Sequence, residues 1–354
     1  MRWHRVEGTG ELREFLELPG RLHDRRYVPT PHQTIRRWYR EGVELYLLRD
    51  GGRVIGRTTL HTDAAFDAEL GRERQLFGLT EFEKDSGAAL FEEIVARAHR
   101  VGRGGVFGPV ALLPNQAGGV ITSGFAERGF IDSAWNPAHY PSEYETFGFV
   151  RRFESDTWMC PVTADPDTVF AGAELGPGVR LHRGSRRRFA AQLPILREML
   201  NAAFAQLGYY TEISAAQLAA QTEGLAHLLD ESLLLYLTKD DRPIAFVLCV
   251  PDISEFLVAV GGDLRLRNQI RLLARRARYR REAVLIIKGT VPDEQGNGHM
   301  RYLSRELLRN LRAGGYRTLR STYVEHTNPG SAHHFRAMGG HPLHGYTFYE
   351  KDLT

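Results

Sequence analysis

Three groups of residues in this 354-residue chain have types and spacing suited to chemistry. The first is Gln295-Gly296-Asn297-Gly298-His299-Met300, which follows an apolar run ending in Thr290-Val291-Pro292 and precedes a segment with helical periodicity. Glycine at 296 and 298 permits positive φ and lets an anion come closer to the main chain than a Cβ would allow. The unpaired N–H groups that open the next helix then converge on one spot, which suits phosphate or pyrophosphate. The loop is neither a Walker loop, since no Gly-Lys-Ser/Thr follows, nor Gly-x-Gly-x-x-Gly. The second group is Glu325 and His326, at the end of an apolar run over 318–327, with Asp252 and Glu255 as alternatives. A carboxylate or imidazole there suits a general base that takes a proton from an attacking ammonium, although a strand-end Glu equally suits a cap. The third group is Trp135, Asn136, His139 and Tyr140, in an aromatic loop that runs into a helix. Their rings and polar tips suit a substrate pocket or the cementing of an interface. His333, His334, His341 and His344 are close in sequence, but their spacing is no metal-ligand pattern, and no metal is expected.

The elements that must position these groups occur twice. Residues 44–60 and 234–250 each read as an apolar run, a short charged turn and a second apolar run, the pattern of a β-hairpin. Tyr46 and Asp50 in the first copy answer Tyr236 and Asp240 in the second. A strand and a helix follow each hairpin, over 76–82 and 86–99 in one half and 284–291 and 299–311 in the other. Matching order and lengths predict a duplication: two domains of one α+β fold, 1–160 and 161–354. Each is expected to be a mixed, mostly antiparallel sheet flanked by helices in three layers, with a parallel pair where the helix crosses over. The halves differ where chemistry would sit. The second carries Pro292-Asp-Glu-Gln-Gly-Asn-Gly298, whereas the first has only Glu83-Lys-Asp-Ser-Gly87. A cofactor is therefore expected in the second copy alone, and the first reads as degenerate.

Composition bounds the setting. With 42% hydrophobic and 25% charged residues and a net charge of +3, the chain reads as an ordinary globular protein. No secretory signal is visible and no apolar run is long enough to span a bilayer, so no membrane partner is expected. Two cysteines, Cys160 and Cys249, form no disulfide framework, which points to the cytoplasm, and Cys249 reads as a core residue. Arginine supplies most of the positive charge; the only lysines are Lys84, Lys239, Lys288 and Lys351. The arginine-rich stretch 265–281 reads as a basic helix packed on the core by its Leu and Ile stripe, or as a polyanion-binding face, for phosphates or RNA.

Gln295-x-x-Gly298-x-Met300 resembles the acetyl-coenzyme A loop of the GNAT acyltransferases, Gln/Arg-x-x-Gly-x-Gly/Ala, at two of its three fixed positions. Asn328-Pro-Gly-Ser-Ala-His-His-Phe335 resembles the GNAT segment in which Asn leads into a short helix bearing an acid tyrosine. Phe335 stands at that tyrosine's position, and Gly340 stands where Phe is usual. Gly108-Pro109, Asn136-Pro-x-x-Tyr140, Gly148-Phe149 and Tyr349-Glu-Lys351 resemble a family of bacterial tandem GNAT-like proteins, from about residue 40 onward. The resemblance implies acetyl-CoA or another acyl-CoA as co-substrate. Thr290, Val291, Gln295, Gly296, Asn297, Gly298, His299, Met300 and Asn328 would lie around it, and a β-bulge near Gly289-Thr290 would offer an amide to the thioester oxygen. An amine of a small molecule would attack directly, with Glu325 as base and Tyr346, or Tyr349, as the acid replacing the missing tyrosine. A second reading is a Fem-type transferase, which also has two GNAT-like domains but uses aminoacyl-tRNA. A third is a non-catalytic GNAT-like binding protein. A homodimer is compatible with the sequence.

Overall fold

The computed structural model describes residues 1–112 and 118–353, so the centre of the glycine-rich loop 108–119 lies outside the described residues. Its strands are β1 (Arg2–Arg5), β2 (Glu44–Asp50), β3 (Arg53–His61), β4 (Gln75–Phe82), β5 (Gly105–Gly108), β6 (Val120–Ile121), β7 (Val150–Pro161), β8 (Val179–Arg183), β9 (Leu234–Lys239), β10 (Arg242–Pro251), β11 (Glu282–Thr290), β12 (Thr318–Glu325) and β13 (His341–Asp352). They fall into two compact units. One comprises Met1–Asp156, Ile253–Ile270 and Leu343–Thr354; the other comprises Thr157–Asp252 and Arg271–Pro342. The units are thus not two consecutive blocks, because the first also takes a mid-chain segment and most of the last strand.

In the first unit β1, β2, β3 and β4 pair antiparallel in that order, and β4 pairs parallel with β5 at Gln75↔Val106 and Leu76↔Phe107. The helix Gly87–Arg100 makes that parallel crossover. β5 and β6 both pair antiparallel with β13. Alternation along β2 explains the layering: Tyr46 and Leu48 enter one apolar cluster with Phe77, Phe91 and Tyr144, while Leu45 and Leu47 enter another with Phe15 and Leu18.

The second unit repeats the plan. β8, β9, β10 and β11 pair antiparallel, and β11 pairs parallel with β12 across the helix His299–Ala313. Leu235 and Leu237 face a cluster with Leu303 and Leu307; Leu234 and Tyr236 face the cluster under the helix Phe189–Phe204. A sheet buried on both faces gives three layers, as the patterning predicts.

Two departures matter for the site. The bulge in β11 is at Ile286, not near Gly289-Thr290: Leu248 pairs with Ile287 and Cys249 with Leu285, leaving Ile286 unmatched. Gly289 and Thr290 pair regularly with Phe246 and Ala245. Gly289 instead answers a packing need, since a Cβ there would lie 2.8 Å from the Ala203 Cβ of the helix Phe189–Phe204. Among the described residues, no helix is long and apolar enough to cross a membrane.

Candidate functional site

The site of the second unit begins where its central strands part. Parallel pairing of β11 with β12 runs from Glu282↔Thr318 to Leu285↔Ser321 and then stops. Beyond it, the Thr322 hydroxyl donates to the Ile286 carbonyl at 2.8 Å, and the Val291 N–H donates back to Ile244 of β10 at 2.9 Å. By strand alternation, the backbone groups of Lys288 and Thr290 therefore face the opening toward β12.

The opening leads into the loop 291–298. Gly296 and Gly298 have φ of +82° and +80°, and a Cβ on either would meet no atom within 4 Å. The first helical bond is from the Tyr302 N–H to the Gly298 carbonyl, and among the described residues no acceptor meets the N–H groups of Gly296 through Met300. Main-chain donors without an acceptor, at a helix N-terminus, fit a phosphate or diphosphate.

The loop is held in shape by a carboxylate. Glu294, 7% exposed, accepts from Lys239 Nζ at 2.7 Å, from Asn297 Nδ2 at 2.9 Å and lies 3.0 Å from His299 Nε2. The Lys239 ammonium first, then His299 and Asn297, hold its carboxyl down at about 2. Asp293 is matched by Arg242 at 2.6 Å and 2.8 Å, so both loop acids face a cation. Gln295 folds back to the Thr290 carbonyl at 3.2 Å, and Met300 packs on the apolar cluster below. The Val291 amide is engaged by Ile244, and Asn328 caps the helix Pro329–Ala337 by accepting from the Ser331 N–H at 3.1 Å.

Phe335 is buried in the second unit at the end of a ring stack with Trp158, centroids 5.7 Å apart. Over its face, 4.4 Å from the centroid, sits the ammonium of half-buried Lys288. Desolvation brings this lysine down to about 8. Desolvation first, and then the Lys288 charge, bring His334 down to about 4; burial pushes the nearby Cys160 thiol up to about 12. The sequence reading overlooked Lys288. Its signal was there to see: one of only four lysines, set within an apolar strand, Leu-Ile-Ile-Lys-Gly.

Glu325 ends β12, half-buried, with Oε2 accepting from the Thr327 hydroxyl at 2.9 Å. Its Oε1 is shut off from solvent, beside the hydroxyl of Tyr209. The buried Tyr209, after the helix Phe189–Phe204, is raised by burial and then by the Glu325 charge. Asp252 lies at the far end of β11, its N–H bonded to Glu282, and Glu255 belongs to the first unit. Among the described residues, no cluster of His, Cys, Asp and Glu could hold a metal.

A tandem GNAT protein from the clavulanic acid biosynthesis pathway superposes on the chain with a TM-score of 0.59, over 99% of this chain and 98% of that one, at 13% identity. The chain has the GNAT fold, in tandem. No protein-family profile matches it. It is 24% identical to the bacterial ceramide synthase of Caulobacter vibrioides (strain NA1000 / CB15N), over 98% of this chain and 96% of that protein. It is 23% identical to Protein YghO of Escherichia coli (strain K12), over 88% of this chain and 82% of that protein.

The remaining sequence candidates lie in the first GNAT unit. Trp135 donates from Nε1 to the Glu127 carbonyl at 2.8 Å, and Asn136 accepts from the Ile121 N–H at 2.8 Å while donating back to its carbonyl at 3.2 Å. The Tyr140 hydroxyl accepts from the Phe82 N–H at 2.9 Å and donates to Glu81 at 3.1 Å. His139 is brought down by desolvation and lies 3.8 Å from Glu143. Tyr346 is buried with its hydroxyl donating to the Gly118 carbonyl, and the Tyr349 hydroxyl donates to Glu145 at 2.9 Å. The polar atoms of Trp135, Asn136 and Tyr140 thus bond within their own unit.

Proposed function

We propose that the protein is an N-acyltransferase that moves an acyl group from acyl-coenzyme A to an amine. One observation carries the reading: the parted ends of β11 and β12 lead directly into a glycine loop whose amides meet no acceptor among the described residues. The amides of Gly296 to Met300 would bind the pyrophosphate, with the Glu294 ties holding them in place. The backbone of Lys288 and Thr290, facing the opening, would align the thioester arm.

In this reading the amine nitrogen bonds to the acyl carbon as the carbon–sulfur bond breaks. The substrate ammonium gives one proton to Glu325 before attack, and the second nitrogen proton leaves to solvent as the adduct collapses. The leaving thiolate takes one from the Lys288 ammonium, which stands over the ring that occupies the usual tyrosine position. Proton exchange with solvent resets both groups, so atoms and charge balance. The reading gives the acid role to Lys288, in the same unit as the loop; Tyr346, expected in that role, donates its hydroxyl to the Gly118 carbonyl.

Ceramide is an amide of a long-chain amine, so the relative named for its synthesis supports a long-chain amino alcohol as acceptor and a fatty acyl-CoA as donor. Calorimetric titration with acetyl-CoA and with palmitoyl-CoA tests donor binding. Thiol release in the presence of sphinganine, compared with a short polar amine, tests the acceptor. Absence of binding to either CoA ester at millimolar ligand would overturn the reading.

A further inference from the structure

The helix Leu266–Ala274 turns its apolar stripe away from the core. Leu266 is 71%, Ile270 58% and Leu273 37% exposed, although they recur at the i, i+4, i+7 spacing that ordinarily packs a helix down. The buried positions are Asn268 and Leu272, on the opposite side of the same helix. The expectation that the Leu and Ile stripe packs on the core thus holds for Leu272 and is overturned for Leu266, Ile270 and Leu273. Because these residues share one helix, its 3.6-residue period places all three on one face, and their exposure shows that the face is outward.

The surrounding charge has one sign. From Leu264 to Arg281 the chain holds eight arginines and no acidic residue. Arg265 pairs with Asp263, and Arg280 lies 3.7 Å from Asp230. Arg267, Arg271, Arg275, Arg276 and Arg278 are exposed, and among the described residues no carboxylate pairs with them. Arg267 and Arg271 flank the stripe on the helix itself. A narrow cleft lined by Asp263, Arg265, Arg267 and Asn268 opens beside the first turn.

We propose that this helix docks on an anionic lipid surface, with Leu266, Ile270 and Leu273 entering the headgroup–acyl boundary and the arginines meeting lipid phosphates. Charge complementarity selects an anionic partner, and the aliphatic stripe selects lipid over nucleic acid. An RNA-binding face would use the arginines and stacking rings, with no use for exposed Leu and Ile. The inference does not rest on the acyl-transfer reading, and it concerns adsorption to one leaflet, which needs no spanning helix.

Co-sedimentation of the full chain with vesicles tests it, comparing pure phosphatidylcholine with a phosphatidylcholine–phosphatidylglycerol mixture. Binding to the anionic vesicles is expected to exceed binding to the neutral ones by about tenfold or more, and to fall at high salt. The combined variant Leu266→Ser, Ile270→Ser, Leu273→Ser should weaken it about tenfold or more, since each removes exposed apolar surface without altering charge. The variant Arg267→Gln, Arg271→Gln, Arg275→Gln should weaken it independently. Circular dichroism should show both variants folded, because the altered side chains are exposed. No binding to anionic vesicles, or binding unaffected by the serine variant, would overturn the proposal. So would tight RNA binding in place of vesicle binding, or a dimer that the serine variant dissociates.

Discussion

The Lys288 ammonium lies 4.4 Å from the centre of the Phe335 ring, so a cation stands over the residue that, by resemblance to GNAT proteins, takes the acid tyrosine's place. A phenylalanine cannot give up a proton, but a desolvated lysine can, and its ring neighbour stabilises the charged form until it does. With Lys288 near about 8, the acid is present at neutral pH and is lost as pH rises past that value. Lys288→Met is expected to lower kcat by about 100-fold with little change in the KM for acyl-CoA, and to remove the alkaline limb of the kcat profile. The sign for stability is opposite. A depressed lysine destabilises the fold in full below about 8, and stability rises between about 8 and the usual 10.5 as the folded form alone loses its proton. Lys288→Met should therefore be as stable as the parent or more so at neutral pH. A destabilised variant with an unchanged pH profile would mark Lys288 as a packing residue.

Glu294 ties the loop from inside, and its low value, about 2, dates that tie to the folded state. A depressed carboxyl contributes above its ordinary range and loses the contribution as pH falls toward about 2. Glu294→Gln keeps the shape but weakens the bonds from Lys239 and His299. Acyl-CoA affinity is expected to fall about tenfold, with faster amide exchange over 293–300. Affinity equal to the parent's by calorimetry would show that the loop holds itself without the carboxylate.

Glu325 places a solvent-shielded carboxylate oxygen at the end of β12. Glu325→Gln should leave acyl-CoA binding intact and cut kcat by about 100- to 10,000-fold, with partial recovery at high pH where the amine deprotonates unaided. Loss of acyl-CoA binding instead would move Glu325 from proton transfer to support of the loop.

The two hairpins and the glycine loop were legible because their signals are local: alternation along 44–60 and 234–250, and glycines at 296 and 298. What went unread depends on distant partners. The pattern of Leu266, Ile270 and Leu273 shows that the helix has an apolar face, but which way it turns is set by what Asn268 and Leu272 pack against. The bulge at Ile286 is a property of β11 measured against β10, so neither sequence alone contains it. The assignment of Leu343–Thr354 to the first unit rests on pairing of β13 with Gly105–Gly108, more than two hundred residues earlier. Lys288 is different: a lone lysine within the apolar run 284–291 is a local signal, legible without any distant partner.

The first unit, though it lacks the long glycine loop, buries its own ionic network. Glu81, 7% exposed, lies 2.5 Å from His23 Nε2, accepts from the Tyr140 hydroxyl at 3.1 Å and stands 3.9 Å from the buried Arg57. Burial alone would raise its carboxyl, but His23 and Arg57 prevail and hold it below the ordinary range. Removing the carboxylate leaves the Arg57 guanidinium enclosed without its counter-charge, which costs about 3–5 kcal/mol, whereas an exposed pair would be worth under about 1 kcal/mol. Glu81→Gln should therefore lower the urea midpoint markedly, while Arg13→Gln, which breaks the exposed pair with Glu17, should barely move it. Since the folded carboxyl is depressed, its contribution persists above the ordinary glutamate range and is lost only as pH falls below it. The parent's midpoint should consequently drop on acidification while that of Glu81→Gln stays flatter. Equal acid sensitivity in the two proteins would show that the network does not anchor the unit.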